Sequence, residues 1–97
     1  MMFVVLVDFR LHDNAAGAFL PLMHNQARQS LDLEPDCSRF DICILPDDEN
    51  RVVLYEIYTS KEAFDAHLAS DHFATFDRAV AGMVKAKDVT LLRLARP

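Results

Sequence analysis

Leu54-Tyr55-Glu56-Ile57-Tyr58-Thr59-Ser60-Lys61-Glu62-Ala63-Phe64-Asp65-Ala66-His67-Leu68-Ala69-Ser70-Asp71-His72-Phe73 passes from an apolar strand into a helix and then into a second helix start. Thr59-Ser60-Lys61-Glu62 fits a capping box: the threonine oxygen meets an amide three residues on, and Glu62 reaches back. The short helix that follows carries Phe64, His67 and Leu68 along one side. Ser70-Asp71 then reads as a fresh cap for a further helix with Phe73, Phe76, Val80 and Met83 at spacings of three, four and three. The second helical region is therefore broken, and the break separates two histidines.

Upstream, Arg51 to Tyr58 forms a strand that pairs across the turn Pro46-Asp47-Asp48-Glu49-Asn50 with Cys37 to Leu45. In that partner strand Phe40, Ile42 and Ile44 alternate with Arg39, Asp41 and Cys43, which marks one apolar face and one polar face. Glu34-Pro35-Asp36 ends a preceding helix drawn from Asn14 to Leu33. Its stripe of Ala16, Phe19, Met23, Ala27 and Leu33 is interrupted by polar Gln26 and Ser30, and Pro21 within it favours a kink. Residues 2 to 10 give a first strand, closed by His12-Asp13-Asn14. At the other end, Lys85 to Asp88 closes the helical region and Val89 to Leu94 supplies the last strand. The order β-α-β-β-α-β predicts one α+β domain over residues 1–97, a ferredoxin-like antiparallel sheet with its helices on one face. The other face is left bare, and pairing with a second copy into a homodimer would cover it.

Composition narrows the partners. At 52% hydrophobic residues the chain holds more apolar surface than so small a domain readily hides, which again favours self-association. A net charge of −5 with no basic stripe excludes the usual nucleic-acid footprint. The apolar opening from Met1 to Val7 is halted by Asp8 and Arg10, too short for a membrane span or a signal segment, so a soluble, cytoplasmic protein is expected. Cys37 and Cys43 stand six residues apart on one strand, about 20 Å at roughly 3.3 Å per residue, beyond disulfide reach.

The candidate chemistry gathers around the helix break. His67 shares a side with Phe64 and Leu68, so its ring faces the sheet, and His72 follows the second cap. Glu56 lies on a strand face with Val52, Leu54 and Tyr58, where a carboxylate needs a partner or a proton. His67, with an ordinary pKa of about 6.5, is a candidate general base that a nearby carboxylate could tune. A purely structural Glu–His hydrogen bond is the plain alternative. Asn25, Gln26 and Ser30 on the first helix could offer substrate hydrogen bonds or bond to backbone, and Phe40, Tyr58, Phe64 and Phe73 could wall a pocket for a flat substrate. His12 and His24 read as ordinary surface or packing residues. A metal site is not expected, because His67 and His72 are five residues apart across the break and not four. The chain has no dinucleotide or phosphate-loop glycine pattern, so no nucleotide cofactor is expected either.

Nearly the whole chain resembles the antibiotic biosynthesis monooxygenase family. Beyond the opening segment, the match includes Ser30 to Pro35 running into Cys37-Ser38-Arg39-Phe40-Asp41-Ile42, with Asp36 where that family usually has glycine. The resemblance implies a dimeric α+β barrel without organic cofactor or metal, a pocket between helices and sheet, and Glu56, His67 and His72 at recurrent pocket positions. It further implies oxidation of a phenol, quinol or enolisable substrate through a base-generated anion that reacts with dioxygen. In that scheme His67 is the base, Glu56 orients it, and His72 binds or protonates an oxygen. The sequence is also similar to an isomerase of a phosphorylated autoinducer, which would use the same base without oxygen and require cations such as Arg28, Arg39 or Lys61. Haem-degrading relatives do not match, since the chain has no tryptophan and carries Asp77 near the expected ligand position. A non-catalytic metabolite-binding dimer is the third possibility.

Overall fold

The computed structural model describes residues 2–95, and Met1 with the last two residues lies outside the described set. Strand β1 (Phe3–Leu11) leads into helix α1 (Ala16–Leu33), then the hairpin β2 (Cys37–Leu45) and β3 (Asp48–Tyr58). Helices α2 (Lys61–Leu68) and α3 (Asp71–Val80) follow, then a single 3-10 turn (Ala81–Met83) and strand β4 (Val84–Arg93). The four strands form one antiparallel sheet in the order β2-β3-β1-β4, the α+β ferredoxin-like arrangement that the element order predicts. No helix among the described residues is long and apolar enough to cross a membrane.

Strand register sets the two faces. Val5 lies opposite Glu56, Val7 opposite Leu54 and Phe9 opposite Val52, and Phe40 lies opposite Glu56 on the other side. These residues share the face beneath the helices. There Phe19 of α1 packs edge-on against Phe9 at 5.2 Å and against Phe76 of α3 at 6.2 Å, tying both helical layers to the sheet. Leu6, Val53, Tyr55 and Ile57 point to the opposite face, which no helix covers, and are half-buried.

Several local expectations are corrected. Ser60, not Thr59, caps α2, its hydroxyl accepting from the Ala63 amide at 3.1 Å; the extended backbone at Ser60 places that oxygen over the first turn. Ser70 caps α3 as predicted, accepting from the Phe73 amide at 3.2 Å. The hairpin turn contracts to Pro46 and Asp47, because Asp48, Glu49 and Asn50 already belong to β3. Pro21 lies within a continuous α1 that begins at Ala16, two residues after the expected Asn14. Asn14, with φ 67°, takes the left-handed turn between β1 and α1, a conformation that asparagine tolerates. Finally, β4 begins at Val84 and not at Val89, and it includes Lys85 to Asp88, expected to close the helical region. As an edge strand with largely exposed side chains it needs backbone pairing to β1 more than an apolar stripe, and Lys87 pairs with Phe9.

Candidate active site

Each half of the broken helix brings one imidazole to the end of α1. His67 Nδ1 lies 2.8 Å from Glu34 Oε2, and His72 Nε2 lies 2.7 Å from the same oxygen. A carboxylate only accepts, so Nδ1 of His67 carries the proton and donates it, and Nε2 is the ring nitrogen left for a ligand. The His72 contact has ion-pair length, but Glu34 lies out of line with the ring N–H, so Nε2 has no aligned hydrogen-bond partner. On its other side His72 donates from Nδ1 to Gln26 Oε1 at 3.2 Å, which leaves the Gln26 Nε2 amide unpartnered although the side chain is buried.

Glu56 has a separate partner. The Tyr58 hydroxyl donates to Glu56 Oε1 at 2.6 Å, so the carboxylate that orients His67 is Glu34 and the expected Glu56–His67 pairing is replaced. The reason is geometric: on a strand, residues 56 and 58 share a face and stand side by side, and both are fully enclosed. Burial pushes the Glu56 carboxyl up to about 7, against the Tyr58 hydrogen bond and the Lys87 charge, which hold it down. Burial and the Glu56 charge likewise raise the Tyr58 hydroxyl. His67 is lowered from its ordinary value, because enclosure outweighs the Glu34 hydrogen bond that favours the imidazolium. His67 is thus neutral near pH 7, as a base must be.

His67 and Glu56 line one apolar cavity of about 40 Å³ between sheet and helices, together with Gln26, Phe40, Phe64 and Phe73. That space suits a few water molecules. The exposed residues of its wall are on β4 and α2, where Val89 is 48% exposed and Leu68 is 44% exposed. The His67 ring is framed by aromatics, stacked on Phe64 at 6.1 Å and tilted against Phe73 at 5.2 Å and Tyr58 at 5.5 Å.

Other expected site residues lie elsewhere. His72 and Asn25 border a separate groove between α1 and α3, and Gln26 and Phe76 are common to groove and cavity. Asn25 is exposed and turns to Gln29, and Ser30 donates to the Gln26 carbonyl at 2.9 Å, spending its hydroxyl inside the helix. Tyr58 stands behind Glu56 and does not border the cavity. Neither Arg28, Arg39 nor Lys61 lines the cavity. Sequence reasoning missed Glu34, seen there only as a helix end, and Lys87, read there as part of the close of the second helical region.

Glu34, His67 and His72 also have the donor chemistry of a metal site, with ligand atoms within 4.8 Å of one another. The two contacts of 2.7 and 2.8 Å to a single oxygen are those of a shared carboxylate. For a tetrahedral ion with bonds of about 2.0–2.1 Å, the nitrogens would have to approach to roughly 3.4 Å.

Comparison with known proteins places the chain. The family described as antibiotic biosynthesis monooxygenase matches residues 2–79. Among solved structures, a Nitrosomonas europaea protein provisionally named an antibiotic biosynthesis monooxygenase is 29% identical, with TM-score 0.93 over 99% of this chain and 92% of that one. A Caulobacter crescentus protein under the same provisional name is 20% identical, with TM-score 0.93 over 98% of this chain and 91% of that one. Rv0793 from Mycobacterium tuberculosis is 23% identical, with TM-score 0.89 over 100% of this chain and 98% of that one. No curated protein matches the sequence.

Proposed function

The chain belongs to the antibiotic biosynthesis monooxygenase family, and on that premise we propose that it oxidises a small phenol, quinol or enolisable ring with dioxygen, using electrons from the substrate itself. The observation that carries this reading is the Glu34–His67 pair: with Nδ1 tied to a carboxylate, the bare Nε2 serves a cavity walled by aromatic side chains. Nε2 removes the proton of a ring hydroxyl, and Glu34 steadies the imidazolium that forms. The resulting oxyanion passes one electron to dioxygen, and the substrate radical and superoxide combine at a ring carbon. Loss of water completes the balance, phenol plus dioxygen giving quinone plus water. The dry wall strengthens each of these charge interactions. Admission of a ring requires Leu68 or Phe73 to turn outward, and neither is locked in the core.

The same reading includes a cytoplasmic homodimer joined through the uncovered sheet face, where Leu6, Tyr55 and Ile57 present apolar surface. No carboxylate other than Glu34 approaches either histidine within ion-pair distance among the described residues.

The test is oxygen uptake by the purified protein over a panel of phenols and quinols, with His67→Ala beside it. Uptake that falls by about 10²–10⁴-fold in the variant supports the reading. Uptake indifferent to His67, or turnover of an enolisable ketone without oxygen, overturns it in favour of the isomerase.

A further inference from the structure

Four polar side chains reach the cavity wall among the described residues: Gln26, Glu56, His67 and Lys87. Lys87 is the one that brings a permanent positive charge. It arrives there because β4 starts early: register opposite Phe9 puts its side chain on the helix-facing side of the sheet, where no helix covers β4. Its ammonium lies 5.6 Å from the ring centre of Phe9 and 5.7 Å from that of Phe73, held between two aromatic faces. Among the described residues it makes no ion pair. An ammonium fixed by two rings at the exposed rim of an apolar cavity, without a carboxylate in ion-pair contact, is a half-built anion site: the one carboxyl that faces it, Glu56, is pushed toward its neutral form by burial and leaves much of that charge unanswered.

We propose that Lys87 is the oxyanion subsite of this cavity, binding the ionised oxygen of a ring-shaped acid, a phenolate or an enolate, whose ring enters the apolar space beside it. The subsite narrows the substrate class from any small aromatic to one with an acidic ring hydroxyl. It also divides the labour of deprotonation, His67 accepting the proton while Lys87 stabilises the charge left behind. Its use in catalysis rests on the oxygenase reading, whereas the binding of the anion does not.

Glu56 and His67 are the titratable groups that face the ammonium across the cavity, and both sense its charge. A variant at Lys87 therefore alters the field of the whole chamber, and the test must follow the ligand's own ionisation.

The probe is 4-nitrophenol, whose anion is coloured and which needs no turnover to report. Its ionisation is followed by absorbance against pH in anaerobic buffer, free and with saturating protein. The wild-type protein is expected to raise its ionisation constant about tenfold, one unit of pKa. Lys87→Met abolishes the rise and Lys87→Arg keeps it, with circular dichroism verifying the fold; Lys87→Gln replaces the methionine variant if that one unfolds. Equal behaviour of wild type and the neutral variants overturns the subsite, as does a wild-type protein that fails to bind the probe or binds it without the rise. Absence of oxygen uptake with every phenol would remove the oxygenase reading and leave this result standing.

Discussion

The two buried carboxyl neighbourhoods of this protein have opposite logic. Glu34, at the end of α1, is partly open to solvent and meets two imidazoles that arrive from different helices. Glu56, mid-strand and 2% exposed, meets one hydroxyl from its own strand and sits in hydrocarbon. The first can hold a neighbouring positive charge at modest desolvation cost. The second is pushed toward its neutral form and resists charge at its own position. Where a carboxyl group is placed thus decides whether it orients a base or merely tolerates burial.

The largest effect that separates the two belongs to Glu34→Gln. Without the carboxylate the imidazolium of His67 loses its counter-charge, and oxygen uptake is expected to fall roughly 10²–10³-fold, with the base moving further below its ordinary pKa. The corresponding Glu56→Gln should keep most of that activity, and equal losses in the two variants would break the distinction.

Next comes the pH dependence of stability. The Glu56 carboxyl rises from 4.5 to about 7 on folding, so the folded chain holds that proton more tightly than the unfolded chain. Its contribution is full below about pH 4.5 and is lost as pH rises through about 7, on the order of 3 kcal/mol for the whole span. His67 works the other way: its folded value lies below 6.5, so its contribution is present above that pH and is lost on acidification. Urea unfolding at about pH 5 and about pH 8 should therefore show Glu56→Gln gaining on the wild type at the higher pH. A difference between the two proteins that does not change with pH would place Glu56 in contact with water.

The smallest effect is that of Tyr58→Phe. It removes the donor from Glu56 and leaves an enclosed carboxyl oxygen unsatisfied, which costs about 1–3 kcal/mol in urea unfolding. The same change drives Glu56 further upward, so the loss of stability, still beginning near pH 4.5, should extend to higher pH before it levels off.

Most of the architecture was legible because it is local. Alternation gave β2, the spacing of Phe73, Phe76 and Val80 gave α3, and Ser70 announced the break. The enclosure of Glu56 and the inward turn of His67 followed from the faces they share with apolar neighbours. What escaped is what depends on distance in the fold. Glu34 is 33 residues from His67, and their meeting is set by where α1 stops above the sheet, a length that no local pattern encodes. Lys87 was hidden for a different reason: an edge strand with polar side chains has no apolar period to reveal it, and its partner Phe9 is almost the whole chain away.

The interruption at Ala69 and Ser70 has a geometric consequence for the pair of imidazoles. In an unbroken helix, five residues carry a side chain through about 500°, leaving it about 140° round the axis from where it began. His72 would then turn its back on whatever His67 faces. Restarting the spiral on a new serine resets that phase and lets an awkward interval bring both rings up to one oxygen.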